Sequence, residues 1–383
     1  MKGWATRKLG DLLDIQNGFA FDSKKFDSSA GVPLIRIRDL RGGFETETKF
    51  TGHYDSKYIV KRGDLLIGMD GEFGCFEWKG DPALLNQRVC KLRGFSNGLL
   101  PRFLFYGVNS YLKAIEEVTG YATVKHISSR QNVDIAFPLP AVSEQHRIVG
   151  LLDEAFEAIA TAKTSIEKNL QNAGAIFENR LEAVFTQRSK GCQEKTLANI
   201  CAINSALVDP RIEKFRNLIH VGAANIESRT GLLYELKTAA EEDLISGKFV
   251  FDEQTVLYSK IRPYLMKVAR PDFSGLCSAD IYPLSPVLNE ITRNFLFYLL
   301  LSPAFTKYAI QGSARAGMPK VNRDHLFEFC TWLPPLKKQV QLATQLDNLH
   351  NETRTLASIY QQKLAALDAL KKSLLHEAFS GNL

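Results

Sequence analysis

The sequence has none of the motifs by which a single chain usually declares an active site. No Gly-x-x-x-x-Gly-Lys-Ser/Thr loop occurs in its 383 residues, which excludes a nucleoside-triphosphate P-loop. The seven histidines form neither His-Glu-x-x-His nor a His/Cys cluster, so a metal centre is not expected. The Asp/Asn-Pro-Pro-aromatic corner with which amino-methyltransferases hold a flipped base is missing. Its nearest approach, Leu333-Pro334-Pro335-Leu336, lacks both the polar and the aromatic member. Pro271-Asp272 is not followed by the Glu-x-Lys of a metal-dependent nuclease. Gly68, Gly71 and Gly74 are spaced as GxxGxxG, not as the dinucleotide fingerprint. The six cysteines (Cys75, Cys90, Cys192, Cys201, Cys277 and Cys330) contain no CxxC, and read as reduced, mostly packed thiols. No apolar run approaches the roughly 18 residues of a membrane span, and no signal-peptide pattern opens the chain, so a soluble, cytoplasmic protein is expected.

What is present is a repeat. Pro140, Gln145, Asp153 and Phe185 recur as Pro334, Gln339, Asp347 and Phe379, all at one offset of 194. A constant offset over 46 positions means that neither copy has gained or lost a residue, as a rigid element requires. Both copies read as long helices. In the first, Val149, Leu152, Phe156, Ile159, Lys163, Ile166, Leu170, Ala173, Phe177, Arg180 and Val184 follow steps of mostly three and four, a narrow seam of coiled-coil type. Their counterparts in the second copy are Ala343, Leu346, His350, Thr353, Ala357, Tyr360, Leu364, Leu367, Lys371, Leu374 and Ala378. At about 1.5 Å per residue each helix reaches roughly 60 Å. So narrow a seam needs a partner helix, and the other copy supplies one.

Net charge is +6, divided as +4 over residues 1–140, −2 over 141–188, +2 over 189–333 and +2 over 334–383. The first long helix is therefore acidic, and the positive excess lies mainly elsewhere. This balance permits a polyanionic partner without demanding one.

Each helix follows a lobe of mixed elements. In the first lobe "VPLIRIRDL" (32–40) reads as a strand with Leu34, Arg36 and Arg38 on one face. "GDLLIGMDGEFG" (63–74) reads as an apolar strand running into a polar loop. "LLNQRVCKLR" (84–93) reads as a further strand, with a helix from about Arg102 to Val118 and a polar loop from Gly120 to Arg130 after it. The second lobe repeats this plan more loosely: "KTLANICAINSA" (195–206) echoes "RKLGDLLDIQNG" (7–18), "LIHVGAANI" (218–226) echoes "LIRIRDL", and "FLFY" recurs at Phe103 and Phe295.

Matching polar loops in both lobes carry the residue types that recognise nucleic acid. Arginine and lysine hold phosphates or fork onto guanine, and asparagine and glutamine pair with adenine. In the first lobe the candidates are Arg36, Arg38, Met69, Asp70, Gly71, Glu72, Phe73, Asn86, Gln87, Arg88, Lys125 and His126. In the second they are His220, Asn225, Ser259, Lys260, Arg262, Tyr264, Ser278, Arg315, Lys320 and Asn322. Arg36 and Arg38 are matched to His220 and Asn225, and Asn86-Gln87-Arg88 to Ser278-Ala279-Asp280. Met69 and Phe73 have a simpler reading as core, Pro263 and Tyr264 as turn formers, and any single charge as a solvated side chain.

With "LPPLKKQ" and "FPLPAVSEQ" entering the long helices, "EAVFTQ" and "EAFSGNL" closing them, and "GDLLIGMDGEFG" with "LLNQRVCKL", the chain resembles the specificity subunit of type I restriction–modification systems. The resemblance spans essentially the whole chain. It implies an α/β (α+β) fold of two target recognition domains, residues 1–140 and 189–333, and two conserved spacer helices, 141–188 and 334–383, packed antiparallel with pseudo-twofold symmetry. It implies that each domain reads one half of a bipartite site in double-stranded DNA, and that two modification subunits dock beside the helices. S-adenosylmethionine, ATP and Mg would then belong to the modification and restriction (translocase) subunits, with no cofactor and no catalysis in this chain. Base contacts do not transfer from the family, whose members differ most where they touch DNA. Two alternatives are a coiled-coil scaffold whose lobes bind protein, which predicts no salt-dependent DNA affinity, and a methyltransferase fragment, which predicts binding of S-adenosylmethionine.

Overall fold

The computed structural model describes residues 3–41, 45–71, 73–118, 127–186, 191–313 and 319–383. The chain forms two compact units, Met1–Ser165 with Lys363–Leu383, and Ile166–Gln362. Each unit therefore combines one lobe with the start of the long helix that follows it and the end of the other.

The strands of the first unit are β1 (Ala5–Lys8), β2 (Asp14–Asn17), β3 (Phe26–Asp27), β4 (Val32–Ile35), β5 (Lys49–Phe50), β6 (Ile59–Val60), β7 (Leu65–Gly68), β8 (Gly74–Glu77), β9 (Ala83–Leu85), β10 (Val89–Arg93) and β11 (Ala136–Leu139). β1 pairs with β11, and two sheets have the orders β2-β10-β7-β8 and β3-β5-β4-β9-β6. Within the latter, β4 and β9 run parallel, Leu34 opposite Leu84. β7 shows why its sequence is apolar throughout: Leu65 and Ile67 join a core with Phe103, Leu104 and Phe137, whereas Leu66 enters one with Ile35, Trp78 and Leu85. A strand covered on both faces cannot alternate with polar residues.

Two strands expected from the sequence are interrupted. "VPLIRIRDL" leaves the sheet at Ile35, because the Asp39 carboxylate accepts the Arg36 N–H at 2.7 Å and closes a helical turn over Ile37–Leu40. Arg36 therefore precedes the turn and Arg38 lies within it, so they do not share the face of a strand. The stretch Leu84–Arg93 is split at Asn86-Gln87-Arg88, where Val89 N–H donates to the Asn86 carbonyl at 3.0 Å. The two halves belong to different sheets. The helix after them spans Pro101–Val118, one residue earlier than expected.

The second unit contains β12 (Gln193–Thr196), β13 (Cys201–Ala202), β14 (Leu207–Val208), β15 (Ile219–Val221), β16 (Lys237–Thr238), β17 (Lys248–Phe251), β18 (Val256–Ser259), β19 (Val268–Ala269), β20 (Gly275–Cys277), β21 (Ile281–Pro286) and β22 (Cys330–Leu333). β12 pairs with β22, and the sheets are ordered β13-β21-β18-β19 and β14-β17-β20-β15-β16. The parallel pair recurs as β15 with β20. The doubly covered strand recurs as β18, with Val256 and Tyr258 in one core and Leu257 in the other. The duplication is thus a duplication of topology, except for one edge strand: β3 lies beyond β5, whereas β14 lies beyond β17 at the opposite edge.

The long helices span Val142–Thr186 and Leu336–Ser380, 45 residues each, and their ends keep the 194-residue offset. Within the first unit they pair antiparallel through Lys163 and Asp368. Within the second, Phe177 stacks on His350 at 4.7 Å and Arg180 donates to Gln345. The expected seam is covered at Leu152, Ile159, Ala173, Ala343, Leu346, His350 and Ala378. Arg180 and Lys371 are exposed, and at the former level Leu181 is buried instead. The repeated glutamines fasten each helix start identically. Gln145 Oε1 accepts Leu100 N–H while Nε2 donates to the carbonyls of Gly98 and Pro140. Gln339 does the same with Thr292 N–H and the carbonyls of Glu290 and Pro334. The repeated phenylalanines close the helix ends: Phe379 packs on Phe103 at 4.9 Å, and Phe185 on Phe295 at 4.9 Å.

Candidate nucleic-acid interface

The loops of the two units hang on one backbone framework. In the first, Met69 N–H donates to Arg88 O at 3.0 Å and Met69 O accepts Ile127 N–H at 2.9 Å. In the second, Lys260 N–H donates to Asp280 O at 3.0 Å and Lys260 O accepts Val321 N–H at 2.9 Å. Ile281 N–H bonds the Ser278 carbonyl as Val89 N–H bonds that of Asn86. Three chain segments thus meet in each unit, after β7 or β18, before β10 or β21, and near residue 127 or 321. This confirms the pairing of Asn86-Gln87-Arg88 with Ser278-Ala279-Asp280. It corrects the match of Arg36 and Arg38 to His220 and Asn225. By the parallel pairing His220 stands where Leu34 does, and Asn225 stands where Asp39 does, accepting the Gly222 N–H at 2.8 Å.

In the first unit Gln87 and Arg88 are exposed at the tip of their turn, and Asn86 is half-buried beside them. Gly18 lets the chain pass against this turn, since a Cβ there would run into the Asn86 carbonyl. Arg88 Nε lies 3.3 Å from Asp70, which joins the two loops by an ion pair. Gly71 has φ +75° with no atom within 4 Å of a Cβ position, so conformation and not space calls for glycine there. Arg36 lies over Phe26 at 5.8 Å, and the exposed Arg38 lies 3.6 Å from Asp39. Met69 and Phe73 are only 6% exposed and belong to the core, the simpler of their two readings. Glu72, Lys125 and His126 lie outside the described residues.

In the second unit the charge at one of these framework positions is reversed, and a lysine stands where the first unit has Met69. Asp280 takes the place of Arg88, 3.7 Å from Lys260 Nζ and 3.6 Å from Lys320 Nζ. Lys260 also donates to Ala279 O and stands over the Tyr282 ring at 5.1 Å. Burial, reinforced by Lys320 and opposed by Asp280, lowers the Lys260 pKa from its ordinary value. Arg323 shares the Tyr282 ring at 5.9 Å. Neither Arg323 nor Tyr282 was an expected site residue, and only their adjacency to Asn322 and Asp280 could have pointed to them. Arg262 adopts φ 50° and donates its N–H to Pro319 O at 2.9 Å, directing the half-exposed Tyr264 outward on the following turn.

The other candidates in this unit serve the fold. His220 is buried, its Nδ1 2.8 Å from Glu242, and burial lowers its pKa despite that carboxylate. Asn225 uses its amide on the carbonyls of Tyr234 and Glu235. Ser259 is 2% exposed, Ser278 Oγ accepts Asp280 N–H, and Asn322 caps the helix Arg323–Glu328. Arg315 lies outside the described residues. Among the described residues no group of three or more His, Cys, Asp or Glu could hold a metal ion, and no helix is long and apolar enough to cross a membrane.

One sheet-and-helix plan built twice, each copy presenting its own polar loops and joined to long paired helices, defines a duplicated recognition protein. The family model for the type I restriction modification DNA specificity domain matches residues 1–172 and again 190–364, and the chain belongs to that family. The family's role is DNA sequence recognition within a type I restriction–modification system. The chain is 28% identical to the type I restriction enzyme EcoBI specificity subunit of Escherichia coli over 99% of its own length and 86% of that protein. It is 21% identical to the MjaVIII specificity subunit of Methanocaldococcus jannaschii over 99% and 93% of the two chains. A chain in a solved type I R-M system structure superposes with TM-score 0.76 at 18% identity, covering 100% of this chain and 99% of the other. The HsdS subunit of Thermoanaerobacter tengcongensis gives 0.58 at 17% identity, covering 100% and 98%. These structural likenesses establish the fold.

Proposed function

We propose that each unit reads one half of a bipartite double-stranded DNA target through its loop cluster, and that the long helices set the gap between the halves. The observation that carries this reading is the shared backbone framework holding side chains of opposite charge, Arg88 with Asp70 against Asp280 with Lys260 and Lys320. A common scaffold with divergent tips is what two readers of different sequences need. Gln87, Arg88, Arg262, Tyr264 and Lys320 are the candidates best placed to reach DNA. Arg88 has the fork geometry for guanine, a contact worth about 1–3 kcal/mol of discrimination. The chain is non-catalytic in this reading. Two modification subunits, carrying S-adenosylmethionine, dock beside the helices, and restriction subunits supply ATP- and Mg-dependent translocation and cleavage, all in the cytoplasm.

The test is an exchange of residues 1–140 for the corresponding domain of another family member, followed by mapping of methylated adenines in the assembled complex. One half of the target should change and the other should stay. A change in both halves would show that the units do not read independently.

A smaller change probes the loop after β7. Gly71→Val places a β-branched residue at positive φ, at a cost of about 1–2 kcal/mol. The expected result is a modest fall in melting temperature with a larger loss of specific over non-specific DNA affinity, because Asp70 moves away from Arg88. Unchanged specific affinity in a folded variant would reduce this loop to scaffold.

A further inference from the structure

The repeat contains one charged residue in both copies whose surroundings are rebuilt and not merely repeated. In the first unit Asp153 Oδ1 accepts from Arg102 Nε at 3.0 Å and Nη2 at 2.8 Å, and from the Tyr106 hydroxyl. In the second, Asp347 Oδ1 accepts from the Tyr298 hydroxyl at 2.6 Å and from Arg270. The tyrosines are equivalent, on the helices Pro101–Val118 and Arg293–Leu301 that cover each lobe's sheet. The arginines are not. Arg102 lies in the first turn of its helix, whereas Arg270 directly follows β19. A guanidinium thus reaches the same carboxylate from two unrelated places in the chain. In both units it also covers the tyrosine ring, at 5.0 Å in the first and 5.3 Å in the second.

Geometry gives this trio a task that the neighbouring apolar contacts cannot perform. Hydrophobic burial is non-directional, so a lobe held by the Gln145 or Gln339 clasp at the helix start and by Phe379 or Phe185 could still turn about the clasp. A carboxylate accepting from a hydroxyl and a guanidinium together is directional and fixes that rotation. Burial, then the bond to Asp153, pushes the Tyr106 hydroxyl up to about 12, which keeps it a donor across the physiological range. Hydrogen bonds from Arg102 and Tyr106 outweigh burial at Asp153 and keep that carboxyl below its usual range.

We infer that Asp153 and Asp347 are positioning residues that fix the angle of each lobe on the long helices, and thereby the single gap between half-sites that the complex accepts. This rests on the proposed reading of the two lobes as half-site readers. Neither carboxylate bonds the loops at 86–88 or 278–280, so base preference within each half is outside their reach.

The experiment maps methylated adenines for the chain assembled with its modification subunits, comparing wild type with Asp153→Asn and Asp347→Asn. Tyr106→Phe and Tyr298→Phe, which remove only a hydroxyl, serve where the asparagine variants fold poorly. Each variant should keep the bases of both halves and gain methylation at gaps one base pair off by about tenfold, equivalent to about 1.4 kcal/mol. Tyr106→Phe combined with Asp153→Asn should be no looser than Asp153→Asn alone, since the Tyr106 hydroxyl acts through that carboxylate, whereas Arg102 also bonds Glu77. Variants that melt earlier yet keep one gap would overturn the inference and leave the trio a purely structural joint. A change of base preference with the gap unchanged would overturn it as well. Wild type without two separated half-sites would instead remove the underlying reading, a result distinct from a wild-type gap that the variants preserve.

Discussion

Adding one heptad to each long helix where Lys163 meets Asp368 is expected to abolish methylation of the original target and create a target with a longer gap. The insertions go after Lys163 and after Leu367, so both helices lengthen at one observed contact. Seven residues keep the seam nearly in phase, with a drift of about 20° per heptad in a straight helix. They add roughly 10.5 Å at about 1.5 Å per residue, or about three base pairs at about 3.4 Å each. Three base pairs also turn the groove, so affinity should fall even when the longer gap is accepted. Mapping methylated adenines checks the result. Unchanged half-sites around a longer gap support the helices as the spacing element, and an active variant with the original gap sinks that role.

The largest effect on stability is expected from the two glutamines at the helix starts. Gln145 and Gln339 are 0% and 1% exposed, and each satisfies one backbone N–H and two carbonyls. Alanine would leave three groups without a partner at about 1–3 kcal/mol each. Because several of these groups are only partly covered, a total on the order of 3 kcal/mol is expected. That corresponds to a melting shift of roughly 6–12 °C for a unit of this size. Calorimetry on Gln145→Ala and Gln339→Ala should show one unit's transition lowered in each case. A loss below about 1 kcal/mol would mean that water replaces the amide at little cost.

The polar positions of the loop clusters were legible as residue types and not as an assembly. Gln87 and Arg88 stand at a turn tip, and Lys260 and Lys320 meet at Asp280. Met69 and Phe73 lie within the core, because a strand covered on both faces continues its burial into the loop that follows. Lys125, His126, Glu72 and Arg315 fall outside the described residues. Arg323 is not legible as a site residue, because its contact with Tyr282 joins segments that only the tertiary fold brings together.

The sequence by itself determined the elements whose physics is local. A seam of steps of three and four, a glutamine five residues after a proline and an offset of 194 specified both long helices, and their ends keep that offset. Tertiary structure decided whatever depends on pairing between distant segments. It ended β4 at Ile35, divided Leu84–Arg93 between two sheets and moved the counterpart of His220 to Leu34. It also set Lys163 against Asp368, where the 194-residue offset alone matches Lys163 to Ala357. A helix closes its hydrogen bonds four residues away, so periodicity suffices to read it. Strand register and the level of an antiparallel helix pair are set by partners far along the chain, which spacing within one element does not encode.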